Sequence, residues 1–336
     1  MIKQAILYEK LGDNKVRCGV CNHRCIINDG RKGICGVRKN EKGKLYTLVY
    51  GKAIAENIDP IEKKPFFHFM PGARILSIAT IGCNFHCLHC QNADISQINS
   101  IPEGIEGKNL LPEQVIEDAL KNNCPGIAYT YTEPTVFLEY ALDTMKMAHK
   151  KNLKNVWVSN GYMTKETLDL IGPYLDAINV DLKAFTEKFY QEVCGAKLKP
   201  VLENLKTIKK KKIWLEVTTL IIPTKNDSSK ELESIAEFIK KELGPKTPWH
   251  VSRFYPAYKM MDLPPTQVET ICMAVEIGKK AGLKYVYGGN IPGNGLENTY
   301  CSKCGEKMIE RNGYLIKRLD NDGKCGKCKT ELDLIL

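Results

Sequence analysis

From residue 74 to residue 290 the chain alternates short apolar runs with longer amphipathic stretches. The runs lie at 74–80, 126–131, 154–159, 176–181, 213–221, 249–254 and 284–288. They are rich in Ile, Val and Tyr and bounded by Pro, Gly or polar residues, which predicts strands. Between them, helical patterns fall near 112–123, 134–151, 164–172, 186–193, 198–212, 228–242 and 265–281. Strand and helix in alternation predict an α/β fold with a parallel sheet, either doubly wound or a partial barrel. Ahead of it, YTLVYGKAIA (46–55) reads as a short strand pair. Residues 56–73 carry Pro60, Pro65 and Pro71 and read as a linker. Within that linker PFFHF (65–69) is too apolar to face water and is expected against the core near the mouth of the sheet, with His68 a packed histidine. Near the C-terminus MIERNGYLIKRL alternates on both sides of Asn312–Gly313, the signal of a hairpin. The pattern divides the chain into 1–55, a linker 56–73, a main α/β unit 74–296 and a tail 297–336.

Composition narrows the function classes. Hydrophobic residues make up 43% of the 336, enough for a large core. No run approaches the roughly 20 apolar residues of a membrane span. MIKQAILYEK has no secretory apolar region, so a cytoplasmic protein is the default expectation. The net charge is +10, with lysines spread along the chain and densest at Lys209–Lys212, at the end of a predicted helix. Cations are favoured there. No aromatic–basic stacking module accompanies the charge, which argues against nucleic acid. An acidic partner, such as a ferredoxin- or flavodoxin-type electron donor, suits it equally.

Fourteen cysteines change the picture, because thiols in a reducing compartment point to metals rather than disulfides. GCNFHCLHCQN (82–92) places Cys83, Cys87 and Cys90 in a CxxxCxxC spacing. Three thiolates grip three corners of a cubane, whereas an ordinary 4Fe–4S cluster takes four. The next cysteine is Cys124, so one iron stays open, and an open position marks catalysis rather than structure. A zinc knuckle completed by His86 or His89 is the alternative. Upstream, Cys18, Cys21, Cys25 and Cys35 form CxxCx₃Cx₉C, which suits a structural zinc or a fully ligated 4Fe–4S cluster, with a slight lean to zinc. Downstream, Cys301 and Cys304 pair with Cys325 and Cys328 in a zinc-ribbon spacing, with a rubredoxin-type iron as runner-up. Cys124 and Cys272 sit in helical patterns as expected buried small hydrophobes. Cys194 lies nearer the predicted mouth.

CxxxCxxC after a hydrophobic strand, with YTYTEPT and DLK downstream, resembles the radical S-adenosylmethionine (SAM) superfamily, in its pyruvate formate-lyase activase-like branch. It resembles most the radical SAM member of the AmmeMemoRadiSam system. The resemblance spans roughly residues 5–315. It implies a partial (βα)₆ barrel with an active site at the C-terminal strand ends, SAM on the open iron, and one-electron cleavage to methionine and a 5′-deoxyadenosyl radical that abstracts hydrogen from a substrate. A protein substrate is implied by the activases; a small molecule, a nucleic acid, or a non-catalytic metal-binding role are the alternatives. The resemblance further implies SAM contacts from Glu133, Ser159, Asn160, Asp181, Lys183 and Asn290. His89 takes the place of an aromatic before the third cysteine. Tyr131 and Thr132 stand where the family's GGEP motif has glycines. Asp181 and Lys183 alternate to one face of a strand. Thr218 and Thr219 are expected toward the adenosine, and Arg253 or Tyr255 toward substrate.

Overall fold

The computed structural model describes residues 1–97, 105–291 and 293–336. Its centre is an eight-stranded sheet. Seven strands run parallel, in sequence order: Arg74–Ala79, Gly126–Tyr129, Lys154–Ser159, Ala177–Asp181, Trp214–Ile221, Trp249–Arg253 and Val286–Gly289. All seven predicted runs are strands. The eighth was not anticipated. Ala55–Pro60, at the start of the expected linker, pairs antiparallel with Arg74–Ala79 and forms one edge. The seventh parallel strand forms the other edge, so the sheet curls into an open barrel of mixed α/β type.

Period-two alternation sorts each strand between two cores. Outward residues such as Ile78, Tyr129, Trp157, Val180, Val217 and Val251 pack under the surrounding helices. Inward residues Ile75, Ala128, Val156 and Ala177 meet Ile61, Phe66 and Phe69. PFFHF therefore does not stand at the mouth. It runs inside the barrel and makes the floor beneath the cavity, because a barrel with an open seam leaves a lumen that side chains must fill. Burying each phenylalanine contributes about 1.5–3 kcal/mol.

Polar groups lock this plug in place. The Glu216 carboxylate accepts from the backbone N–H of Phe67 at 3.0 Å and of His68 at 2.9 Å. It also accepts from Trp214 Nε1 at 3.1 Å and faces His250 Nε2 at 2.7 Å. The Asn179 amide donates to Pro65 O at 2.8 Å. His68 is packed as expected, with Nε2 2.6 Å from the Tyr287 hydroxyl. Burial alone would raise the Glu216 pKa, but His250 outweighs it and holds the carboxyl down at about 2 against an ordinary 4.5. A depressed acid stabilises the fold fully above its unfolded pKa and loses that contribution as pH falls through the folded value. The loss thus runs from about pH 4.5 to about pH 2. Glu216→Gln is expected to lower stability by about 2–4 kcal/mol in urea at pH 7 and to flatten the acid limb. An unchanged acid limb would show that the plug is held by other groups.

The N-terminal residues make two small three-stranded sheets, one of Lys3–Gln4, Lys44–Thr47 and Arg38–Glu41, the other of Tyr8–Lys10, Val16–Cys18 and Ile26–Ile27. They dock on helix Leu138–Lys150 through a buried ion pair: Arg38 donates to both Glu139 oxygens, at 3.0 and 2.5 Å. The tail forms Thr299–Tyr300, Lys307–Asn312 and Leu315–Arg318. Asn312 pairs with Leu315, so the turn residues are Gly313 and Tyr314, one position later than Asn312–Gly313. Gly313 takes a φ of 59° there, which suits glycine. The tail seals the seam. Arg311 donates to Phe67 O at 2.7 Å and to the Thr299 hydroxyl at 2.7 Å, and Thr299 in turn meets Tyr287 of the last strand at 3.0 Å. No described helix is long and apolar enough to cross a membrane. Cys124 is buried as expected, but Cys272 is exposed, on the outer face of its helix.

Candidate active site

A cavity of about 520 Å³ opens at the C-terminal ends of the parallel strands. Cys83, Cys87 and Cys90 line it, from the loop after the first parallel strand. Glu133, Ser159, Asn160, Asp181, Lys183 and Asn290 line it too, from the loops or ends of other strands. The structure therefore brings together all nine residues singled out for this site.

The cysteine loop is held by its own backbone. His86 N–H donates to Cys194 O at 2.9 Å and Leu88 N–H to Val193 O at 3.0 Å. Each sulfur has a polar neighbour: Phe85 N–H is 3.4 Å from Cys83 Sγ, and the Ser96 hydroxyl is 3.1 Å from Cys90 Sγ. Cys87 contacts the thiol of buried Cys194, which acts as donor; that bond, before any other influence, draws Cys87 toward its thiolate. Burial first and Glu133 second push the Cys83 thiol well above its ordinary pKa. A bound cation reverses that balance.

Glu133 is 3% exposed and accepts several bonds. Ser159 Oγ donates at 2.9 Å and Asn160 N–H at 2.8 Å, while Thr135 donates from backbone and side chain. It thus caps the turn Pro134–Phe137 and fixes the end of the third strand together. Burial raises its pKa. Tyr131 takes a φ of 63°, a left-handed backbone that is uncommon for any residue but glycine. Its O is bonded by Asn92 Nδ2 at 2.8 Å. Asp181 meets Lys183 Nζ at 2.9 Å. Burial opposes the Lys183 ammonium, yet Asp181 and the sulfurs of Cys87 and Cys194 raise its pKa well above the ordinary value. His89 is buried with Nδ1 unpartnered, and burial, then Lys183, pushes its pKa down to about 3. It is a neutral ring on the cavity wall.

Several expectations change. Thr218 faces the lumen, but Thr219 points outward, to Leu182 O and Trp249 Nε1. Arg253 turns away to Thr266 O and Tyr255, while Ser252 lines the cavity instead. One inward residue implies that its neighbour faces out, so the strand pattern left two choices and only packing chose between them. Lys63, Lys64 and Tyr314 were missed. Lys64 is 2% exposed and bonds Asp59 at 2.6 Å, with its ammonium 4.0 Å from the Tyr131 ring centre. Burial lowers its pKa to about 8. The signal available was two lysines directly before an apolar run.

The tail quartet is different in kind. Cys301, Cys304, Cys325 and Cys328 gather their sulfurs within 4.8 Å of one another, and among the described residues only they do so. A single zinc at a Zn–S distance of 2.3 Å needs sulfurs about 3.8 Å apart. The tail is gathered as one ion requires; the sulfurs at 83, 87 and 90 are not drawn together in that way.

Residues 77–239 match the model of the Radical SAM superfamily. An uncharacterized protein of Methanocaldococcus jannaschii is 48% identical over 338 residues, covering 100% of both chains.

The chain belongs to the radical SAM superfamily.

This radical SAM protein is also similar to the pyruvate formate-lyase-activating enzyme of Clostridium pasteurianum, 20% identical over 51% of this chain and 71% of the relative. Streptococcus suis SuiB bound to S-adenosylmethionine has the same fold, with a TM-score of 0.50 and 11% identity over 68% of this chain and 55% of that one. As a radical SAM enzyme the chain uses a 4Fe–4S cluster and SAM. The family resemblance, the cysteine triplet and the cavity agree on that.

Proposed function

We propose that this radical SAM enzyme is activase-like and abstracts hydrogen from a protein segment. Cys83, Cys87 and Cys90 hold the cluster. Bound together, cluster and SAM supply a one-electron cleavage of the sulfonium and a hydrogen-abstracting radical. The chain's own residues bind and orient. Asp181 and Lys183, paired at the fourth strand end, take the charged ends of a zwitterion. Glu133 sets Ser159 and Asn160 toward the sugar and carboxylate, and Asn290 closes the pocket from the last strand. His89 gives a neutral wall. The electron comes from an outside donor of ferredoxin or flavodoxin type.

The observation that carries this reading is the convergence of three cysteines and a charged Asp–Lys pair on one cavity. The relatives add the substrate class: similar proteins include activating enzymes, whose named substrates are proteins. A cavity of about 520 Å³ is in the range for one small ligand, so little room remains beyond SAM and a slender peptide suits it. The exposed Tyr314, on the tail hairpin at the rim, favours a second reading, a small-molecule substrate enclosed beneath it.

The test is anaerobic incubation with dithionite, SAM and deuterium-labelled candidate proteins. Deuterium in 5′-deoxyadenosine from a protein supports the proposal; transfer only from small molecules supports the second reading. Asp181→Asn is expected to raise KM for SAM about tenfold, the factor of one charge-assisted contact. An unchanged KM would remove Asp181 from the SAM site.

A further inference from the structure

We infer that Cys18, Cys21, Cys25 and Cys35 hold a second iron–sulfur cluster, not a zinc ion. The four cysteines line one small, partly open chamber with apolar walls that include Val20, Ile27 and Val136. Yet they are not drawn together as the tail sulfurs are. In the tail, Cys301 and Cys328 lie 3.5 Å apart, as do Cys304 and Cys325. Among the described residues no other three thiols gather within 4.8 Å. The same molecule thus carries an internal standard for a one-ion quartet, and the N-terminal quartet does not meet that standard.

A second observation points to an anion in the chamber. Arg38 lines it, is 2% exposed, and spends both terminal nitrogens on Glu139. Its Nε–H has no partner. A buried donor left unpaired costs about 1–3 kcal/mol. A cluster with four thiolates presents sulfur acceptors, and hydrogen bonds to sulfur are among the levers that set cluster potential. The chamber also adjoins the catalytic loop: Asn84 lines it, follows Cys83 directly, and its backbone carbonyl accepts from His23 Nε2 at 2.8 Å. With four cysteine ligands such a cluster has no vacant corner, so its chemistry is electron transfer. One electron enters it from a reduced low-potential donor protein, which is oxidised by one electron, and leaves it toward the Cys83 loop. Exposed Arg31 and Lys32 on the module suit an acidic donor.

The test removes the catalytic site first, so that its result does not depend on the proposed activity. The Cys83→Ala/Cys87→Ala/Cys90→Ala variant is purified without oxygen from iron-supplemented cells. Iron, zinc and acid-labile sulfide are then counted, and EPR is recorded after dithionite. Sulfide with at least two irons per chain and a reduced-cluster signal is expected. Adding Cys21→Ser and Cys35→Ser should abolish both while the tail metal remains. Zinc at two per chain without sulfide, or no metal beyond the tail ion, overturns the inference. Should the five-fold variant not fold, Mössbauer spectra of the wild type decide: two clusters are expected, only one changing when SAM is added, and a single cluster overturns the inference.

Discussion

Cys87→Ala is expected to abolish SAM cleavage and leave the fold intact. The side chain is 7% exposed on the cavity wall, and its sulfur lies against buried Cys194. The loop does not depend on it for shape, since the His86 and Leu88 amides bond to Cys194 and Val193. Losing a small buried thiol costs about 1 kcal/mol. Losing a cluster ligand costs far more in function. Groups that merely orient a metal ligand are worth 10–100-fold, so a ligand itself should be worth more than about 100-fold. The measurement is 5′-deoxyadenosine formed per chain under dithionite, beside a thermal melt. A variant that retains wild-type turnover would take Cys87 out of the ligand set.

Cys304→Ala should do the reverse: lower stability strongly and leave the catalytic cluster in place. The tail has a small core, with Met308, Ile309 and Leu332 as its main apolar members beside the cysteines. So few side chains seldom hold a fold alone, and a structural metal supplies the rest. Its loss also reaches the barrel. Arg311 of the tail bonds Phe67 O, and Asp333 accepts from Tyr285 at 2.8 Å, so the plug loses its outer support. A fall in Tm on the order of 10 °C is expected, with metal content down by the tail ion and iron and sulfide unchanged. Loss of SAM cleavage at an unchanged Tm would show that the tail serves chemistry instead.

The polar partners that hold the fold around the site were its least legible part. Arg38 and Glu139 are 101 positions apart, and Glu216 meets Phe67 across 149. No local pattern links such residues. Tyr131 was a visible departure from glycine, but its left-handed backbone shows only once the loop is built. The plug misled for a related reason: an apolar stretch must be buried, yet apolarity does not say where.

What the chain's order of residues determined was everything with a short period. CxxxCxxC, the two outer cysteine sets and the alternation of seven strands with helices all depend on neighbours a few positions apart, whose spacing backbone geometry dictates. The tertiary structure alone decided which strand face looks inward, what fills the lumen, and how far apart each set of sulfurs stands. Those depend on contacts between distant segments, which form only when the barrel closes and its seam is sealed.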